Sequence, residues 1–338
     1  MANNSSASDY VNKFGYRTYS GEPDPRWKRI LWLAWFEVSG IWRKSTIGKI
    51  FLVFVIIFNL LTIMFISQIA EFFNRFGNIH DNTVASFSGI LTGYYSFSSF
   101  VFTPYLGSSD IFAVPSPFSV FTGFLIIAQI GIAGSGMFAD DQYGKILEIY
   151  MSKIEIKDYF LGKFLAVYGY INLLATIPFL LFSTLYLNAL ERDHMQYLDI
   201  YLGSIFFGLL SSLFFTAFIL AFSAAVDKRA YASLAFFLFF IIGSILSTPL
   251  LSMTGSNEFY ILLPFSYFIT FLAFVCLGIP NIQNLMALDW DTWEYDIIKL
   301  ADGKGLEGYH IILAVLIYSG LLLLYVYHKI KKMSTEEI

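Results

Sequence analysis

The sequence predicts an all-α polytopic membrane protein with six transmembrane helices. Three observations predict it. Of the 338 residues, 57% are hydrophobic and only 14% charged, where soluble domains carry about 25%. The chain holds long uncharged runs that match the ~20 apolar residues needed to cross a ~30 Å hydrocarbon layer. And its lysines and arginines fall almost all on one side once those runs are threaded back and forth.

Eight uncharged runs are long enough to consider: 50–70, 82–109, 111–139, 164–190, 200–226, 230–257, 259–288 and 308–327. Two are poor spans. The run 82–109 (NTVASFSGILTGYYSFSSFVFTPYLGSS) is rich in Ser, Gly, Thr and Tyr, and 259–288 is broken by Pro264, Gly278 and Pro280. Leaving both out gives spans at about 50–70, 117–139, 164–190, 200–226, 230–253 and 308–328. Both termini then lie in the cytoplasm, with 17 Lys/Arg inside and four outside. Making either weak run a full span would move basic clusters outside. They are therefore expected to be extracytoplasmic, re-entrant or interfacial segments, which are tolerated where protein covers their backbone.

The elements follow in order. Residues 1–26 are polar, lack the apolar core of a signal peptide and contain GEPDP; a flexible cytoplasmic N-terminus is expected. Residues 27–332 form the membrane domain and 333–338 a cytoplasmic tail. Trp27–Lys44 is amphipathic. Trp27, Ile30, Leu31, Ala34, Trp35, Val38, Ile41 and Trp42 form one stripe, with Lys28, Arg29, Glu37, Arg43 and Lys44 opposite. Tryptophan and basic residues suit the headgroup layer, so an interfacial elbow helix is expected. Within the spans the few polar residues (Asn59, Gln129, Asn172 and Thr176) are expected to make interhelical hydrogen bonds. Gly208, Ser212 and Thr216 form a packing seam, and Pro178 and Pro249 are expected to kink their helices. The acidic aromatic stretch 288–299 is expected at the outer surface.

Between the second and third spans lies DDQYGKILEIYMSKIEIKDYFLGK, residues 140–163, with nine charges in 24 residues. A short turn such as Asp227–Ala230 suffices to join two spans, so this island needs another reason. On a helical wheel Ile146, Leu147, Tyr150, Met151 and Ile154 share one face of 145–155. Lys145, Glu148, Ser152, Lys153 and Glu155 share the other, joined by the apolar Ile149. Asp140 and Asp141 precede Gly144 at the helix start, where negative charge is favourable. The apolar face would rest on the bundle and the charged face would meet the cytoplasm, either as a docking surface or as a plain interfacial anchor.

This segment resembles the signature loop of ABC-2-type permeases, the membrane subunits of many ABC exporters. The family pattern has an acidic residue (Asp140), a glycine four later (Gly144) and a Leu/Ile-rich helix (Ile146–Met151). A Ser-Pro-Ile-like stretch follows (Ser152-Lys153-Ile154), then a Gly-Lys pair opening the third span (Gly162-Lys163). Lys153 stands where the family usually has Pro, and Ile156 where Arg is common. The resemblance extends loosely over 27–332. It implies a cytoplasmic coupling helix seated on a separate ABC ATP-binding subunit, and a second permease copy, identical or related, completing the pathway. The residues assigned to coupling are Asp140, Asp141, Gly144, Lys145, Glu148, Ile149, Lys153, Glu155, Gly162 and Lys163.

The function classes narrow accordingly. No G-x-x-x-x-G-K-[ST] occurs, so this chain is not expected to hydrolyse ATP. No catalytic residue, cofactor, metal or nucleic-acid partner is expected. The six spans as drawn hold no Asp, Glu, Lys or Arg inside them, which argues against an ion-coupled carrier. The expectation is a multi-pass cell-membrane permease, an exporter by family tendency; the alternative is a non-transporting polytopic scaffold or sensor.

Overall fold

The computed structural model describes residues 25–75, 81–95, 100–104, 110–115, 117–144, 154–253, 262–264, 266–278, 284–288, 295–299 and 308–336. Ten helices of eight or more residues lie among them. They are α1 (Arg26–Lys44), α2 (Thr46–Arg75), α3 (Asp81–Tyr94), α4 (Pro117–Gly134), α5 (Gly136–Tyr143), α6 (Ile156–Ala189), α7 (Leu198–Ala225), α8 (Arg229–Met253), α9 (Ser266–Cys276) and α10 (Gly308–Glu336). Lipid offers the backbone no hydrogen bonds, so an apolar run must satisfy its own peptide groups, and a helix does so. Six units are long and apolar enough to cross a membrane: α2, α4 with α5, α6, α7, α8 and α10. The chain is a multi-pass membrane protein, and the six-helix, all-α membrane architecture matches the sequence expectation.

The centre of the bundle is α7, which packs against α4, α5, α6, α8, α9 and α10. Its small residues allow this. A Cβ on Gly208 would collide with Thr176 of α6, and Ser212 and Thr216 are fully buried, so the Gly208–Ser212–Thr216 stripe is a helix seam. By contrast α2, α8 and α10 turn large apolar side chains outward, among them Met64, Ile245 and Leu324. Such faces suit lipid.

Among the described residues neither weak run holds a helix long and apolar enough to cross a membrane. Helix α3 has 14 residues and α9 has 11, about 21 and 16 Å at 1.5 Å per residue. They pack against each other. Beyond them the chain forms a sheet the sequence reading did not anticipate. Strands β1 (Phe100–Pro104), β2 (Asp110–Pro115), β3 (Asn284–Leu288) and β4 (Tyr295–Lys299) lie in that order. β1–β2 and β3–β4 are antiparallel hairpins, and β2 joins β3 in parallel. One sheet thus ties together the segments that follow α3 and α9.

Two boundaries differ from the expected spans. The third span begins at Ile156 rather than 164, which draws Asp158 and Lys163 into the helix. The second span is interrupted at Ser135, between α4 and α5.

Candidate functional site

The first half of α6 buries Asp158, Tyr159, Gly162, Lys163, Ala166, Val167, Tyr170 and Ile171. The spacing is the i, i+1, i+4, i+5 pattern of one helix face. Sequence reading stopped the apolar stripe at 164 because Asp158 and Lys163 looked like loop charges. Both instead point inward. The Lys163 side chain is 1% exposed, and its Nζ lies 2.6 Å from Glu37 Oε1 and 2.7 Å from Asp141 Oδ2. The Tyr159 hydroxyl donates to the same Asp141 oxygen at 2.6 Å, and Lys163 Nζ stands 5.3 Å from the Tyr159 ring centre. A buried ammonium is tolerated only when paired. Here one cation joins three chain segments: α1 through Glu37, α5 through Asp141, and its own α6.

The elbow reaches this point because half of its apolar stripe turns toward the bundle and Glu37 turns with it. Ala34, Glu37 and Ile41 are buried, with Ile30, Leu33 and Val38 half-buried. Trp27, Trp32, Trp35 and Phe36 face outward, Trp35 at 67% exposure. Glu37, placed by the wheel on the polar side, is buried against the bundle. Gly162 makes the crossing possible, since a Cβ there would lie 2.6 Å from Leu33 Cδ2. At the start of α1, Arg26 Nε donates to Asp158 Oδ1 at 2.7 Å, and its guanidinium reaches Glu155 Oε2 at 3.3 Å. The Asp158 hydrogen bond, then the charges of Asp158 and Glu155, push the Arg26 pKa above its ordinary value.

The third arm, α5, hangs on a repaired break. Phe138 and Ala139 amides both donate to Ser223 Oγ of α7, at 2.9 and 3.2 Å, and that hydroxyl donates to the Ser135 carbonyl at 2.8 Å. A single side chain has entered the helix ladder, a known cause of helix interruption. The Ile132 carbonyl on the α4 side of the break receives Arg229 Nη2 at 2.7 Å. Gly134 sits where a Cβ would meet Ile219 at 2.6 Å. So α5 is held by α7 at one end and by Lys163 at the other.

The sequence-assigned residues divide into three groups. Asp141, Gly162 and Lys163 are interior: they position helices and offer no surface to a partner. Asp140, Gly144 and Glu155 are partly or fully exposed, Asp140 being 4.0 Å from Arg229 Nη1. Lys145, Glu148, Ile149 and Lys153, with the amphipathic helix they define, lie outside the described residues. Sequence reasoning missed Glu37, Arg26, Asp158, Tyr159, Ser223 and Arg229. The Gly-Lys pair at 162–163 was the one local signal for a close helix crossing beside a cation.

Among the described residues no group of three or more His, Cys, Asp and Glu is placed to hold a metal ion. Of the polar span residues, Gln129 Nε2 donates to the Tyr170 hydroxyl and Asn59 Nδ2 meets the Tyr94 hydroxyl at 3.5 Å, both between helices. Asn172 and Thr176 bond within α6. One buried cation joins α1, α5 and α6, the last two being the helices that flank the 145–153 segment. No protein-family model and no curated protein matches this sequence.

Proposed function

We propose that this chain is the permease subunit of an ATP-driven ABC transporter of the ABC-2 type, in a cell membrane with both termini cytoplasmic. A separate ATP-binding subunit hydrolyses the nucleotide and docks on the 145–155 surface. A second permease copy, the same or related, faces this one across the pathway. Export is the direction that the family resemblance favours.

The observation that carries the reading is the buried hub. A surface loop that merely joined two spans would need no internal anchor. This one is flanked by α5 and α6, and both flanks are clamped by Lys163 to the elbow helix. Force applied at 145–153 would move α1, α5 and α6 together instead of dissipating in a slack loop. The motif positions Asp140 and Gly144 and the pair Gly162-Lys163 bracket this loop at the spacing of the resembled family. The outward-facing tryptophans of α1 suit an elbow lying in the headgroup layer, with Lys28 and Arg29 beside them.

The test is topological. With Cys276 replaced by serine, a cysteine at position 148 is reacted with a membrane-impermeant maleimide in intact cells and in inside-out vesicles. The expected result is labelling in the vesicles alone. Labelling in intact cells would place the loop outside and remove the ATPase, the coupling and the transport assignment together.

A further inference from the structure

Proline 178 lies inside α6. Proline has no N–H, so the carbonyl four residues earlier, that of Leu174, loses its helical donor. In an apolar bundle an acceptor left so is expensive. The Leu174 carbonyl is met by the Tyr94 hydroxyl, which donates to it from the end of α3. Helix α3 has only 14 residues, and this hydrogen bond ties its end to α6.

Three more contacts converge there. Asn59 of α2 reaches the same hydroxyl at 3.5 Å. The next residue, Tyr95, meets Ser211 Oγ of α7 at 3.4 Å. The two rings sit among Phe179, Phe207 and Phe215, with centroids 4.8 Å apart for Tyr94–Phe179 and for Tyr95–Phe215. Tyr94 and Tyr95 are each 3% exposed. One dipeptide therefore joins α2, α3, α6 and α7. Leu174 lies three turns along the same helix from Lys163, about 16 Å.

We infer that Leu174–Pro178 is a hinge of α6 and that Tyr94 is its latch, a positioning residue that steadies this stretch by supplying the hydrogen bond proline removes. With the hydroxyl in place, the end of α3 is fixed to α6. With it withdrawn, α6 flexes at 174–178 and α3 separates from the bundle. The hinge and latch stand on the geometry alone. Their service in transport, handing motion from the Lys163 end of α6 to the α3–α9 side, rests on the permease reading.

The experiment is a double-mutant cycle on the full chain in detergent, using Tyr94→Phe and Pro178→Ala. Alanine at 178 restores the N–H that pairs Leu174 within the helix, so the latch becomes redundant. The first readout is the thermal unfolding midpoint. The second is maleimide labelling of Cys276, the chain's one cysteine, on α9, which packs against α3. That thiol is partly buried in the packing, so opening of the packing should speed its reaction. With proline at 178, Tyr94→Phe should lower the midpoint by about 3 °C or more. It should also speed labelling about tenfold, the change that loss of one ~1.4 kcal/mol hydrogen bond makes in an opening equilibrium. With alanine at 178 both effects should fall to near zero. Equal effects in the two backgrounds, or none in either, overturn the latch. Should Tyr94→Phe alone fail to fold, recovery of the double variant supports the inference and continued failure overturns it. A chain that showed this coupling yet bound no ATPase would keep its hinge and lose the permease reading.

Discussion

Lys163 Nζ sits 2.6 Å from Glu37 Oε1, a buried ion pair between the start of the third span and a helix that precedes the first. Its strength comes from burial. The Arg26–Glu155 pair nearby is 3.3 Å long, but its side chains are 54% and 69% exposed, where water screens most of the attraction. Removing the cation from the buried site would leave two carboxylates uncompensated, at about 3–5 kcal/mol.

That contrast gives the first prediction. Lys163→Met should lower stability by about 3–5 kcal/mol, while Glu155→Gln should change it far less. Glu37→Gln should fall between, because Asp141 still pairs with the lysine. Thermal unfolding of the purified chain in one detergent checks the order. Equal losses for Lys163→Met and Glu155→Gln would mean that the hub is solvated.

The repaired break between α4 and α5 gives the second. Ser223→Ala strips a donor from the Ser135 carbonyl and an acceptor from two amides. Each group left unsatisfied costs about 1–3 kcal/mol. Amide exchange at Phe138 and Ala139 should accelerate at least tenfold, while amides in the middle of α7 keep their protection. Uniform acceleration across both helices would instead report global loosening.

The crossing of α1 over α6 gives the third. Gly162→Ala puts a methyl group 2.6 Å from Leu33 Cδ2, and overpacking of this kind costs about 1–3 kcal/mol. Leu33→Ala in the same chain should recover part of the loss, because it removes the atoms in the way. Additive losses in the double variant would show that the contact is not the cause.

Much of this fold was legible because transfer energy accumulates over twenty residues. Single errors such as Pro178 in the third span or Gln129 in the second do not cancel that sum. The rest was illegible for reasons that particular residues show. Glu37 read as polar surface because its partner is remote in sequence, and a wheel scores hydrophobicity without knowing where a lysine stands. The tryptophans of α1 face away from the bundle, and Ile30, Ala34, Val38 and Ile41 of the same stripe turn inward. Asp158 and Lys163 hid the first two turns of α6 by looking like loop charges. Strands β1–β4 are five or six residues each, too short for a periodicity signal, and β2–β3 pairs segments far apart in the chain. Pro178 did carry a readable message: some donor must serve the carbonyl of residue 174. Nothing local pointed to Tyr94.

The most direct measurement is affinity purification of the chain from its native membrane in mild detergent, followed by assay of ATP hydrolysis in the eluate. The account predicts a co-eluting ATPase that is lost from the Glu148→Lys/Glu155→Lys variant while the membrane bundle keeps its unfolding midpoint. An eluate without nucleotide hydrolysis, or one in which hydrolysis survives both charge reversals undiminished, would contradict it.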